Sequence, residues 1–251
     1  MPGPVACGGR RMTRLILLPG WGLGRAALEP LAGALRERGL DVGLAGLPAL
    51  DESDPEAWLA ELDARLPQGA WLGGWSLGGM LATALAARRG EGCRGLLTLA
   101  SNARFVAGAD WPHAMPPDIF AVFRNGCAQD SVAILKRFAL LCCQGCTEAR
   151  SLSRQLNQGI PAEETAQRLA GLEVLAALDN RAALVAFAGL QLHLLAEADA
   201  LVPVAAAEPL QALLSRGVVE RVAGTGHAFV LERPQALAAR LAAFIREAGD
   251  D

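Results

Sequence analysis

Gly74-Trp75-Ser76-Leu77-Gly78-Gly79 decides the fold. These residues fit Gly-x-Ser-x-Gly, in which a serine on a sharp strand-to-helix turn presents its hydroxyl oxygen as a nucleophile. A serine held in a strained backbone brings its flanking residues so close that only hydrogen fits as their side chains, which explains the glycines. With 28 glycines in 251 residues the pattern alone is weak, and its setting gives it weight. Ahead of it, Ala70-Trp71-Leu72-Gly73 reads as the end of a buried strand. Behind it, Met80 to Arg89 is an Ala/Leu-rich run with two cations in its last turn, the pattern of a helix.

Outward from this elbow, short apolar runs alternate with helical patterns, the mark of parallel strand–helix–strand units. Leu15-Ile16-Leu17-Leu18 reads as a buried strand ending in the turn Pro19-Gly20-Trp21-Gly22, with a helix over roughly Ala27 to Arg38. Asp41 to Leu47 is a second strand, and Pro55 to Leu66 a helix with its acidic residues early, as the dipole favours. Further strands are expected at Gly95 to Ala100, Leu190 to Leu195 and Val218 to Val222, with a closing helix from Pro234 to Glu247. From Phe105 to about Asp179 the alternation stops. That stretch holds helical patterns at Asp118 to Asn125, Ser131 to Cys142, Glu148 to Gln155 and Ala162 to Leu178. The expectation is an α/β fold, a mostly parallel sheet flanked by helices. Residues 14–104 and 180–251 form its core, 105–179 a helical cap (lid) insertion, and 1–13 a disordered leader in which Met12 is a candidate start.

Composition narrows the function classes. The chain is 52% hydrophobic and 20% charged, enough to bury a sizeable core. A net charge of −3 gives no basic field for nucleic acid. No apolar run approaches the roughly 20 residues that span a bilayer, and the first 14 residues lack the apolar centre of a signal peptide. No membrane partner is expected. The six cysteines (Cys7, Cys93, Cys127, Cys142, Cys143, Cys146) lack the paired spacing of a disulfide framework, and Cys142, Cys143 and Cys146 have no histidine nearby in an apolar helical stretch. Reduced thiols and a cytoplasmic location are the expectation, with no metal, no cofactor and a monomeric chain.

A serine hydroxyl attacks well only when a base takes its proton and a third group orients that base. On an α/β-hydrolase core the order is serine, acid, histidine. Of three histidines, His113 falls in the insertion and His193 inside a strand pattern, where a hydrogen-bonded core role is the better reading. His227, in Gly224-Thr225-Gly226-His227-Ala228-Phe229, follows the last strand and precedes the last helix, where a base can reach Ser76. The acid is sought after the preceding strand, where Glu197 and Asp199 both qualify. Asp199 is preferred because it stands immediately before the Leu201-Val202-Pro203 turn, while Glu197 reads as a solvated or supporting carboxylate. The oxyanion needs preorganised N–H donors. Leu77, after the nucleophile, supplies one, and Trp21, between Gly20 and Gly22, the other. The Trp21 indole could also wall an acyl pocket.

At these residues the chain resembles a known family. The run Leu17 to Leu23, the elbow, Leu99-Ala100-Ser101, Asp110-Trp111-Pro112, Lys136-Arg137-Phe138 and the acid and base loops are similar to the pimeloyl-[acyl-carrier protein] methyl ester esterases of biotin synthesis, from Arg14 onward. The resemblance implies a cofactor-free serine carboxylesterase that cleaves the methyl ester of a pimeloyl chain on a phosphopantetheine arm, with Ser76, Asp199 and His227 as triad and Trp21 and Leu77 as oxyanion donors. Three departures are Pro19 where many relatives have His, Ala196 in place of a common Gly, and Ala228-Phe229 where many have Pro two after the histidine. None removes a catalytic group.

The insertion bears on the partner. Between Ile119 and Asn157 five basic residues (Arg124, Lys136, Arg137, Arg150, Arg154) face two acidic ones, a local +3 on an acidic chain. Arg137, Arg150 and Arg154 are candidates for docking an acidic carrier protein by charge, Arg150 and Arg154 sharing one helix face. The plain alternative is a solvated helix face. Phe105, Trp111 and Phe138, with Phe120 and Phe123, could line an acyl channel or simply form the core of the insertion. Rival functions are a carboxylesterase for free short-chain esters, a carbon–carbon bond hydrolase on the same scaffold, and a non-catalytic binding module.

Overall fold

A computed structural model describes residues 13–248. The leader expected over 1–13, with Cys7 and Met12, lies outside the described residues but for its last position. Six strands form one sheet in the order β2-β1-β3-β4-β5-β6, every neighbouring pair parallel. They are β1 Arg14–Leu18, β2 Asp41–Leu44, β3 Ala70–Trp75, β4 Cys93–Leu99, β5 Leu190–Ala196 and β6 Gly217–Val222. Helices on both faces force the central strands to be apolar throughout rather than alternating, and all six residues of β3 are buried.

Strand order places the site. From β1 the chain moves to β2 on one side, then returns to β3 on the other side of β1 and continues outward. The β1/β3 junction is therefore the switch point where loops at the carboxyl ends diverge and leave a crevice. Both the Trp21 turn, after β1, and Ser76, after β3, stand at that junction.

The helices on the sheet's faces follow their sequence signals. Helix α2 (Pro55–Arg65) starts on Asp54, whose carboxylate accepts the Glu56 N–H, with Pro55 in its first turn. Helix α3 (Leu77–Arg89) follows the elbow, and the last helix of the described residues spans Pro234–Glu247. Helix α1 differs from expectation. Residues Arg25–Leu28 form a 3-10 turn and the α-helix runs Glu29–Arg36, because Pro30 lacks the N–H that a continuous helix would need there. β2 stops at Leu44 rather than Leu47, where Gly46 and Pro48 cannot sustain a ladder.

Between β4 and β5 lie α4 (Pro117–Gln129), α5 (Ser131–Cys143), α6 (Ala149–Gln158), α7 (Thr165–Ala177) and α8 (Arg181–Ala186). The chain enters and leaves this helical segment at adjacent points. Arg104 and Asp179 form an antiparallel bridge, and Arg181 pairs with Asp179 at 2.6 Å and with Asp110 at 2.7 Å, while Arg104 pairs with Asp110 at 2.9 Å. Arg181 thus holds the carboxyls of Asp110 and Asp179 below the usual range, hydrogen bonding being the leading cause in each. Among the described residues no helix is long and apolar enough to cross a membrane.

Candidate active site

Ser76 sits at φ 55° and ψ −122°, a region that costs a non-glycine residue about 1–3 kcal/mol. Its surroundings enforce this. A Cβ on Gly74 would strike the Gly78 carbonyl and Gly79 N, and one on Gly78 would strike the carbonyls of Leu18 and Pro19. The elbow can form only with both side chains absent, and it locks the start of α3 onto the end of β1. The Ser76 N–H donates to the Leu99 carbonyl at 2.9 Å. The Ser76 carbonyl accepts the Ser101 hydroxyl at 2.6 Å as well as the N–H groups of Gly79 and Met80. Ser101 holds the elbow from β4's side, with Ala100 before it strained at φ 48°.

Asp199 and His227 meet. Nδ1 of His227 lies 2.7 Å from Oδ2 of Asp199, and both side chains are fully buried. Oδ1 of Asp199 accepts the N–H groups of Leu201 and Val202 at 2.8 and 3.0 Å, so the turn after β5 aims the carboxylate. An acceptor at Oδ2 puts the ring proton on Nδ1 and leaves Nε2 with a free lone pair. That buried Nε2 has no hydrogen-bond partner among the described residues, so the Ser76–His227 bond is not formed here. The imidazole nevertheless lies against the elbow: its ring centroid is 5.5 Å from that of Trp75, whose indole N–H donates to the His227 carbonyl at 3.0 Å.

Glu197 does not touch His227. It is exposed, and its carboxylate accepts the Gly224 N–H at 3.1 Å, bracing the base loop. His193 is buried, with Nδ1 2.7 Å from the Thr98 hydroxyl and Nε2 3.3 Å from Gln191 Oε1. His113 is exposed in the helical segment.

The turn after β1 reaches Ser76, since a Cβ on Gly20 would stand 3.4 Å from Ser76 Cβ. Among the described residues no group accepts from the backbone N–H of Trp21 or of Leu77. A narrow apolar cavity of about 50 Å³ lies beyond the Trp21 indole. Phe105 and Phe138 line it, with Phe123, Leu172 and Leu201. One water needs about 10–15 Å³ on this measure, so the slot suits a thin methylene chain rather than a bulky group. Trp111 is not among the lining residues. Its indole N–H donates to Asn102 Oδ1 at 3.1 Å, and that polar handle turns the ring away from the slot.

Two features escaped the sequence reading. The end of α5 packs on the base loop: the Ala228 N–H donates to the Cys142 carbonyl at 2.8 Å, and the Thr147 N–H donates to Glu232 at 2.5 Å. Glu232 also accepts the Thr225 hydroxyl. Burial opposes ionisation of Glu232, but these bonds outweigh it and hold its carboxyl below the usual range. The cysteines of this stretch are free thiols, Cys143 pushed up to about 12 by burial. No group of three or more His, Cys, Asp or Glu among the described residues could hold a metal ion. The docking candidates Arg137, Arg150 and Arg154 are exposed, as is Lys136, while Arg124 pairs with Glu173 at 3.1 Å.

The family described as "Alpha/beta hydrolase family" matches residues 15–240. The chain is 43% identical over 233 residues to the biotin biosynthesis bifunctional protein BioHC of Cellvibrio japonicus, covering 90% of this chain and 46% of that protein. It thus spans about half the length of such bifunctional relatives. To the pimeloyl-[acyl-carrier protein] methyl ester esterase of Xanthomonas oryzae pv. oryzae it is 35% identical over 243 residues, covering 92% and 94% of the two chains. Among solved structures, a bromoperoxidase from Bacillus anthracis superposes with a TM-score of 0.83 at 17% identity, covering 94% of this chain and 92% of that one. An esterase from Exiguobacterium antarcticum gives 0.82 at 18%, covering 93% and 92%. These two likenesses speak to the fold.

Proposed function

We infer that this chain, which belongs to the alpha/beta hydrolase family and to the branch of it holding the pimeloyl-[acyl-carrier protein] methyl ester esterases, is a serine carboxylesterase for the methyl ester of a pimeloyl chain on an acyl-carrier protein. The observation that carries the chemistry is the buried Asp199–His227 pair set against the Ser76 elbow. The substrate rests on the likeness to esterases of that name over nearly the full length of both chains.

In this reading Nε2 of His227 takes the Ser76 proton as Oγ attacks the ester carbonyl. The N–H groups of Trp21 and Leu77 receive the oxyanion, the second at the positive end of α3. His227 returns the proton to the departing methoxide oxygen, and methanol leaves. Water, deprotonated by the same nitrogen, then releases the acid and restores Ser76. Asp199 keeps the tautomer and stabilises the imidazolium. The open Ser76–His227 contact closes when substrate is bound, as such bonds commonly do.

The helical segment 105–179 acts as the cap. The apolar slot takes the acyl chain, and its rim includes Ile119 and Leu141, both exposed. Arg137, Arg150 and Arg154 steer an acidic carrier protein to this face, an attraction that salt screens.

The test compares hydrolysis of a carrier-bound pimeloyl methyl ester with that of a free short-chain ester, and asks whether the chain restores growth without biotin to a strain lacking the esterase. Carrier-bound preference and rescue, both lost in Ser76→Ala, are expected. A free-ester preference without rescue would overturn the substrate and leave the esterase chemistry standing.

A further inference from the structure

Gly171 stands in the interior of α7, where glycine is a poor choice: alanine in its place would favour the helix by restricting the unfolded chain and adding no cost of its own. The reason lies across the interface with the core. A Cβ on Gly171 would come within 2.9 Å of Cδ1 and 3.2 Å of Nε1 of the Trp21 indole, and 3.3 Å of Trp58. Carbon atoms do not pack closer than about 3.5 Å without strain.

The indole is held on its other sides and can yield only toward the edge of the apolar slot. Its N–H donates to the Arg168 carbonyl, one turn earlier on α7, at 2.8 Å in a buried setting. Its ring meets Phe123 of α4 edge-on at 5.4 Å and Phe138 of α5 at 5.2 Å. The backbone is boxed in too. Gly22, at φ 63°, has Leu135 of α5 where its Cβ would be, and Gly20 abuts Ser76. Three cap helices thus fix the side chain of the very residue whose backbone N–H faces the reaction.

We propose that Gly171 is a positioning residue: its missing side chain seats the Trp21 indole against α7, and this contact sets where the Trp21 N–H meets the oxyanion. The proposal rests on the reading of Trp21 as an oxyanion donor. A methyl group at 171 displaces the indole, and the shift passes through a short turn to the donor. Oxyanion donors act through distance, and loss of one typically costs about 10²–10³ in turnover. Partial displacement of one of two is expected to cost about 10–100-fold.

Gly171→Ala is therefore expected to lower kcat by about 10–100-fold with KM changed less than about threefold, while the thermal midpoint shifts little, alanine's helix preference offsetting much of the packing strain. Affinity for an alkyl boronic acid, which forms a tetrahedral adduct on Ser76, is expected to fall with kcat. The decisive comparison repeats Gly171→Ala in a Trp21→Ala background. Alanine at 21 removes the Cδ1 and Nε1 atoms that clash, so the substitution is expected to cost less than about threefold there, whatever Trp21→Ala costs by itself. Equal losses in both backgrounds, a wild-type kcat for Gly171→Ala, or a loss confined to KM would each overturn the proposal. Full activity in Ser76→Ala, or a parent enzyme indifferent to the boronic acid, would instead overturn the serine-esterase reading on which it rests.

Discussion

Acidification tests the polar layer beneath the elbow. Burial pushes the His193 imidazole down from 6.5 to about 4. The bonding explains why the neutral ring is kept. Gln191 spends its amide N–H groups on the carbonyls of Leu184 and Phe187, so its Oε1 can only accept from His193 Nε2–H, and Nδ1 then accepts from Thr98. Because the folded-state value is depressed, the unfolded chain binds the proton first as pH falls below 6.5. Stability therefore rises with pH across the window from about 4 to 6.5, is fully present above it, and is lost by roughly 1.4 kcal/mol per unit as pH falls through it. Between pH 6.5 and 5 this one residue should cost about 2 kcal/mol. Urea unfolding followed by tryptophan fluorescence at pH 7, 6 and 5 measures it, with His193→Gln as the control that cancels His113, His227 and the carboxylates. The parent is expected to lose about 2 kcal/mol more than the variant between pH 7 and 5. Parallel curves for the two proteins would refute the reasoning.

Asp199→Asn keeps an acceptor for the Leu201 and Val202 N–H groups but presents an amide to His227 Nδ1, favouring the wrong tautomer; steady-state ester hydrolysis should fall roughly 10⁴-fold with the fold intact, and near-normal turnover would move the acid role to Glu197. Glu232→Ala strands the buried Thr225 hydroxyl and leaves the exposed Thr147 N–H to water, so urea unfolding at pH 7 should report a loss of about 1–2 kcal/mol. Since the Glu232 carboxyl is depressed, that deficit should shrink as pH falls through its folded-state value below about 4.5, and a deficit independent of pH would show that ionisation is not involved.

What the sequence disclosed and what it concealed divide along a physical line. The strands at the switch point were legible because parallel, doubly covered strands are unbroken apolar runs, and the elbow because its steric demand is met within six residues. Asp199 and His227 were legible from loop position, and the structure brings their side chains together. Gly171 and Glu232 were not, since each answers to residues far along the chain: Trp21 lies 150 positions from Gly171, and no local periodicity announces such a contact. Trp111 misled for a related reason. Its ring looks like a pocket wall until the partner of its N–H, Asn102, is known. Helices α8 and α9 (Ala207–Leu213) are short and lack side-chain caps: Asn180, at the start of α8, donates instead to the Met80 carbonyl, and α9 starts on Ala206.

These long-range contacts bear on how the proposed cap works. A lid that swings wide as a rigid flap would have to release the Arg104–Asp110–Asp179–Arg181 ion pairs at its base, and α5 grips the core at its far end as well. Its last turn carries the Cys142 carbonyl that holds Ala228 and leads to the Thr147 N–H on Glu232, both beside His227, while its middle holds Leu135 and Phe138 against the Trp21 turn. Lifting α5 would unseat the His227 loop and the Trp21 turn together. Substrate entry by wholesale opening would thus dismantle the groups proposed to carry the reaction. Entry through the slot between α4 and α5, where Ile119 and Leu141 already meet solvent, would leave both grips intact. On the proposed function a thin acyl chain takes that route, and the seating of the cap disfavours a bulky ester.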